Sequence, residues 1–135
     1  MADQSERDPQ VFGEICTGDH QNDKRINDVG GLAGIKYAFN QLDLATKSKS
    51  CTPVKSLKTD ETHAAITRFK GDQQIQLYYS DNYESIKRAV YKQNIAHEFS
   101  QPGIHQTNAI IERCNQDINN GIRCYLMQAG LPGCF

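Results

Sequence analysis

The chain has 135 residues and a mass of 15.2 kDa, with 15 basic and 16 acidic side chains, 38% hydrophobic residues and a mean hydropathy of -0.65. That is enough for one domain with a real core, too apolar for a disordered chain, and without any run near the ~20 apolar residues of a membrane span. The opening MADQSERDPQ has no apolar segment, so no signal peptide is expected, and the five cysteines include no Cys-x-x-Cys pair. An odd count without such pairs argues against a secreted disulfide framework or a closed zinc knuckle, and for reduced thiols in a nuclear or cytoplasmic protein.

Residues 1–10 are polar and aperiodic and read as a disordered N-terminus. Val11 to Thr17 has the alternation of a strand, which closes at Gly18-Asp19-His20. Residues 21–34, rich in Asn, Asp and Gly, predict a loop. Ile35 to Leu44 predicts a second strand, and Cys51 to Val54 a third whose Pro53 favours a sheet edge. At Thr59-Asp60-Glu61-Thr62 the pattern changes to a helix start, with a capping hydroxyl and acids in the first turn, and Gly71 ends that helix. Ile75 to Tyr79 predicts a strand ending at Ser80-Asp81-Asn82. Residues 83–93 predict a helix, and Ile95 to Phe99 a short strand. After Pro102-Gly103, a long helix runs from Gln106 to Ala129 with Ile111, Cys114, Ile118, Ile122, Tyr125 and Ala129 as its apolar stripe. The order is β-β-β-α-β-α-β-α: three antiparallel strands, then alternating helix and strand, in a mixed sheet flanked by helices.

Charge is unevenly spread. Residues 1–28 carry three basic and seven acidic side chains, a net of -4, whereas residues 47–92 carry nine and five, a net of +4. Lys47, Lys49, Lys55, Lys58, Arg68 and Lys70 form a set that can either track a phosphate backbone or simply face solvent. Three acids stand at element ends: Asp19, Asp81 and, early in the long helix, Glu112. A mixed sheet of this order can bring the ends of its first and fourth strands together, with a helix aiming a third carboxylate at the same point. Converging carboxylates repel unless cations neutralise them, and hard oxygen donors suit Mg²⁺ or Mn²⁺. Each acid also has an ordinary reading, as a turn residue, a cap or helix surface.

The segment His97-Glu98-Phe99-Ser100-Gln101-Pro102-Gly103-Ile104-His105-Gln106-Thr107-Asn108-Ala109-Ile110-Ile111-Glu112-Arg113 resembles the third catalytic block of retroviral and LTR-retrotransposon (copia-like) integrases. Tyr79-Ser80-Asp81-Asn82 with Glu84 resembles the second block, and Gly18-Asp19-His20 the first. Phe39 to Thr46 resembles the family's second strand, Pro53 to Lys58 its third strand with a basic exit, and Leu126 to Phe135 the stretch after the catalytic helix. The resemblance spans residues 11–135 and implies an α/β, ribonuclease-H-like mixed five-stranded sheet: an integrase-like catalytic core, C-terminally truncated, as in a fragment of a longer polyprotein. It implies DDE chemistry, in which metal-bound water trims a DNA 3′ end and the new 3′-hydroxyl attacks target DNA. The implied catalytic residues and ligands of a two-metal Mg²⁺ or Mn²⁺ site are Asp19, Asp81 and Glu112, with Asp43 in reserve for the first. Asn108, Lys55 and Lys58 are implied on the nucleic acid, DNA as partner, and a homodimer paired through helix faces. Tyr83 stands where the family has Gly, and no basic residue follows Glu112 by one or two turns. An alternative follows from these departures: a catalytically inactive remnant of the same fold that binds nucleic acid or self-associates.

Overall fold

The computed structural model describes residues 10–22, 34–99 and 105–131, and for residues 105–108 it describes the backbone alone. All but the last of residues 1–10, expected to be disordered, most of the loop before the second strand, and the Pro-Gly breaker lie outside the described residues.

A turn at Gly13, whose φ of 89° suits glycine, feeds β1 (Ile15–Asn22). A side chain at Gly13 would run into the Gln74 carbonyl, and the Gln76 N–H donates to the Gly13 carbonyl at 2.6 Å. The first strand thus starts four residues later than the alternation suggests and continues past Asp19. The extension is held by β2 (Tyr37–Asp43), which pairs antiparallel from Cys16↔Asp43 to Asn22↔Tyr37. β3 (Lys49–Val54) pairs antiparallel with β2. After α1 (Thr59–Lys70), β4 (Leu77–Ser80) runs parallel to β1. After α2 (Glu84–Lys92), β5 (Ala96–Phe99) runs parallel to β4, and α3 (His105–Ala129) closes the described chain.

The sheet order β3-β2-β1-β4-β5 is the expected mixed, ribonuclease-H-like α/β arrangement, three strands antiparallel and two parallel. Pro53 sits on the edge strand, where its missing N–H breaks no ladder. One local expectation is corrected. The N-cap of α1 is Lys58, not Thr59, and it makes no side-chain cap bond. Glu61 instead reaches back, accepting from the Ser56 N–H and hydroxyl at 2.7 Å each.

Strand alternation separates two faces. On one, Cys16, Phe39 and Tyr78 meet Ala65 and Ile66 of α1 and Ile86, Ala89 and Val90 of α2, all essentially without exposure. Each such Ile contributes roughly 1.5–3 kcal/mol by burial. On the other, Leu42 meets Ile111 and Cys114 of α3, with Leu44 and Ile118 at the margin. The second layer is much thinner. Among the described residues, no helix is long and apolar enough to cross a membrane.

Candidate active site

The parallel ladder Ile15↔Leu77, Cys16↔Tyr78, Thr17↔Tyr79 carries Asp19 to the level of Asp81 two residues further on, so two carboxylates stand at neighbouring strand positions. Asp19 does not end its strand, which runs on to Asn22; the pairing with β4 stops at Thr17, two residues before it. Its Oδ2 accepts from Asn115 Nδ2 at 3.2 Å, and the His20 N–H also donates to it. Burial, then the charge of Asp81, and to a smaller degree that of Glu112, push the Asp19 carboxyl up to about 6. Asp81 is exposed to solvent along part of its side chain; burial raises its carboxyl above the ordinary value, and the Tyr83 N–H opposes the rise. The shared repulsion falls on Asp19, the more buried of the two. Glu112 lies on α3, exposed, near enough for its charge to act on Asp19.

Asn115 is the residue that sequence reasoning missed. It follows Glu112 by three positions, so both share a helix face. The sequence points instead to Asn108, one turn earlier, whose side chain lies outside the described residues. Asn115 is itself held: Asn40 Nδ2 donates to Asn115 Oδ1 at 2.8 Å and to Gln21 Oε1 at 2.7 Å.

Two histidines flank the carboxylates from the α1/α2 face. The Thr62 hydroxyl donates to the Lys58 carbonyl, so the 3.1 Å contact between His20 Nε2 and Thr62 Oγ1 has the histidine as donor. Burial pulls the His20 imidazole down to about 4, and it stays neutral. The Tyr83 ring meets His20 edge-on at 5.5 Å between centroids, so its bulk packs on His20. The Ser80 hydroxyl donates to the Asp81 carbonyl at 2.9 Å, which makes His97 Nε2 the donor in its 2.7 Å contact with Ser80 Oγ. Ser80 is therefore a backbone brace for Asp81, not a base-activated nucleophile. Burial and the Lys87 charge lower the His97 imidazole.

Asp43 has a different job from the one held in reserve for it. It pairs with Cys16, three residues before Asp19 along β1. Its oxygens accept from the Thr46 hydroxyl at 2.7 Å, the Thr46 N–H at 2.8 Å and the Gly13 N–H at 3.0 Å, and Cys16 Sγ approaches at 3.5 Å. Burial pushes its carboxyl up, but these donors together bring it below the ordinary value. A carboxylate so saturated ties two turns together and offers no lone pair to an incoming ion. Cys16 pays the electrostatic penalty: burial and then Asp43 push its thiol up to about 12.

The basic residues divide by the same register. Asn22↔Tyr37 and Tyr37↔Val54 put the end of β3 level with the end of β1, so the exposed Lys55 and Lys58 leave the sheet on the carboxylate side. Lys49 lies towards the other end of β2 and pairs with Asp117 of α3 at 2.9 Å. A groove of about 460 Å³ lined by Leu42, Lys47, Ile110 and Arg113 lies there too and includes none of the three acids.

Among the described residues, no group of three or more His, Cys, Asp or Glu side chains is gathered closely enough to hold a metal ion. The donor set is nevertheless of the right chemistry for a hard divalent cation. The charges of Asp81 and Glu112 both act on Asp19, and no described ion pair neutralises any of the three.

No family model matches the chain, and no curated protein matches it. The fold is shared with a chain of a solved structure, the cryoEM structure of a simian T-cell lymphotropic virus intasome in complex with PP2A regulatory subunit B56 gamma. The two agree with a TM-score of 0.72 at 18% identity, over 93% of this chain and 46% of that one. The likeness is one of fold, and this chain spans just under half the length of that neighbour.

Proposed function

We propose that the chain is the catalytic core of a retrotransposon-type integrase, acting in metal-dependent DNA 3′-end processing and strand transfer. The observation that carries this reading is that the β1–β4 register brings Asp19 level with Asp81, just past the end of β4, with the charges of Asp81 and Glu112 both felt at Asp19. The fold shared with an intasome chain supports it. In this reading Asp19, Asp81 and Glu112 hold Mg²⁺ or Mn²⁺. Bound there, the cation supplies activation of a nucleophilic oxygen and charge stabilisation of the leaving oxygen in an in-line displacement. The chain's own residues do the rest. Asn115 and the His20 N–H orient the Asp19 carboxylate; the Tyr83 N–H and the Ser80–His97 brace hold Asp81. Lys55 and Lys58 meet the phosphates of a DNA strand entering from the same end. Ile122 and Tyr125, exposed three positions apart along α3, supply the helix face for a homodimer.

The wider spacing of the three acids than ligation requires favours the second reading, an inactive remnant that binds nucleic acid or self-associates. Titrating Mn²⁺ while following thermal unfolding separates them. A site filled at a hundredfold excess over Kd adds about 2.7 kcal/mol, a rise on the order of 5–10 °C for a chain of this size. Asp81→Asn is expected to abolish the rise, and strand transfer on a DNA-end substrate then tests the chemistry. No rise in either protein, with both folded and no strand transfer, would leave the remnant reading standing.

A further inference from the structure

Asn40 is fully buried, stands directly opposite Asp19 in the β1–β2 ladder, and is polar where the neighbouring Leu42 on the same face is apolar. Both of its amide hydrogens are spent, on Gln21 Oε1 at 2.7 Å and on Asn115 Oδ1 at 2.8 Å, while its own Oδ1 has no partner. A buried acceptor left unpaired costs stability. What the arrangement secures is direction. An ionised carboxylate only accepts, so Asn115 must turn Nδ2 to Asp19 and Oδ1 away from it. Oδ1 then needs a donor, and the buried Asn40 is that donor. A flip of either amide would set oxygen against oxygen.

We propose that Asn40 is a positioning residue, which through Asn115 fixes the Asp19 carboxylate and the rotation of α3 that carries Glu112. The inference rests on the reading of Asp19 and Glu112 as metal ligands. The apolar contact between α3 and the sheet is small, Leu42 with Ile111 and Cys114 and Leu44 and Ile118 at its margin, and with the exposed Lys49–Asp117 pair it leaves the helix some freedom to roll. The amide relay removes that freedom one turn from Glu112. Groups that orient metal ligands in this way alter metal affinity about 10–100-fold when removed.

Asn40→Leu is the test: it keeps the branched shape and the number of heavy atoms, deletes both donors and also deletes the unpaired oxygen, so the chain is expected to fold. Mn²⁺ affinity, read by electron paramagnetic resonance on the full chain, is expected to fall about 10–100-fold. In an Asn115→Ala background the same substitution is expected to cost nothing further, because the relay is already cut. Asn40→Thr, which keeps one donor, is expected to lose less, and it decides the matter if the Leu variant does not fold. Unchanged Mn²⁺ affinity in a folded Leu variant, or the full loss repeated in the Asn115→Ala background, would overturn the inference. If the unaltered chain binds no Mn²⁺, the metal reading fails separately, and the Asn115 side-chain amide resonances decide. Their collapse to free-amide positions in Asn40→Leu supports the positioning role, and unmoved resonances sink it.

Discussion

The two faces of the sheet are built to different standards. Under α1 and α2, large apolar side chains fill the space, and the central polar groups are chained together: Tyr78 donates to Gln41, which donates to the Ala65 carbonyl, at 3.0 and 3.1 Å, while His20 Nδ1, His97 Nδ1 and Ser85 Oγ go without a partner at its margin. Under α3, a few apolar contacts share the face with Asn40, Asp19 and Thr17, and an unpaired oxygen and a raised carboxyl are tolerated. One face stores the stability and the other spends some of it on holding carboxylates together, as sites that must bind charge generally do.

Cutting into each face should give unequal losses. Ile66→Ala, at a fully buried residue of α1, is expected to lose about 3–4 kcal/mol in urea unfolding, and Ile111→Ala on the α3 side about 2. Equal losses would erase the distinction between the faces. Gly18→Ala comes next, at about 2–3 kcal/mol, because a Cβ there collides with the hydroxyl of Tyr78, which is buried and hydrogen-bonded to Gln41. A neutral result would mean that the Tyr78 ring can shift at no cost.

The charged face should show its cost through pH. The Asp19 carboxyl lies near 6 when folded against an ordinary 3.8, so its folded state binds the extra proton. Stability from this group is full below about pH 4 and lost as pH rises through 6. Asp19→Asn is therefore expected to be about 2 kcal/mol more stable than the unaltered chain at pH 7, with the gain gone below pH 4. His20 acts oppositely: at about 4 when folded against 6.5, it loses stability as pH falls through that window. A variant difference that is flat with pH would remove Asp19 from its repulsive setting. The smallest effect is expected on the uncovered part of α3. Tyr125→Ser, at a residue 73% exposed, should stay within about 0.5 kcal/mol in the monomer. A larger loss that depends on protein concentration would reveal that this face is covered by a second copy.

Local chemistry made most of the fold legible. The strand run ending at Asp43, the edge proline at Pro53, the acids at the start of α1 and the stripe Ile111, Cys114, Ile118 all act over a few residues, and each is visible in the chain as written. The same holds for Asp19 and Asp81 as candidates, since strand ends and turns can be read locally. What failed was anything set by a distant partner. β1 extends to Asn22 because β2 lies beside it, a fact 20 residues of sequence around Asp19 do not contain. Asp43 and Asp19 look interchangeable as acids ending strands; only the donors gathered from Gly13 and Thr46 make one a structural clamp and leave the other a candidate ligand. Asn115 was overlooked for Asn108 because both sit about a turn from Glu112, and periodicity cannot say which faces Asp19. The sequence alone determined the element order and the stock of carboxylates, since these follow from side-chain period and type. The tertiary structure alone decided which carboxylates meet, because charges and hydrogen bonds act across space, and residues 75 and 96 positions apart along the chain are here in contact.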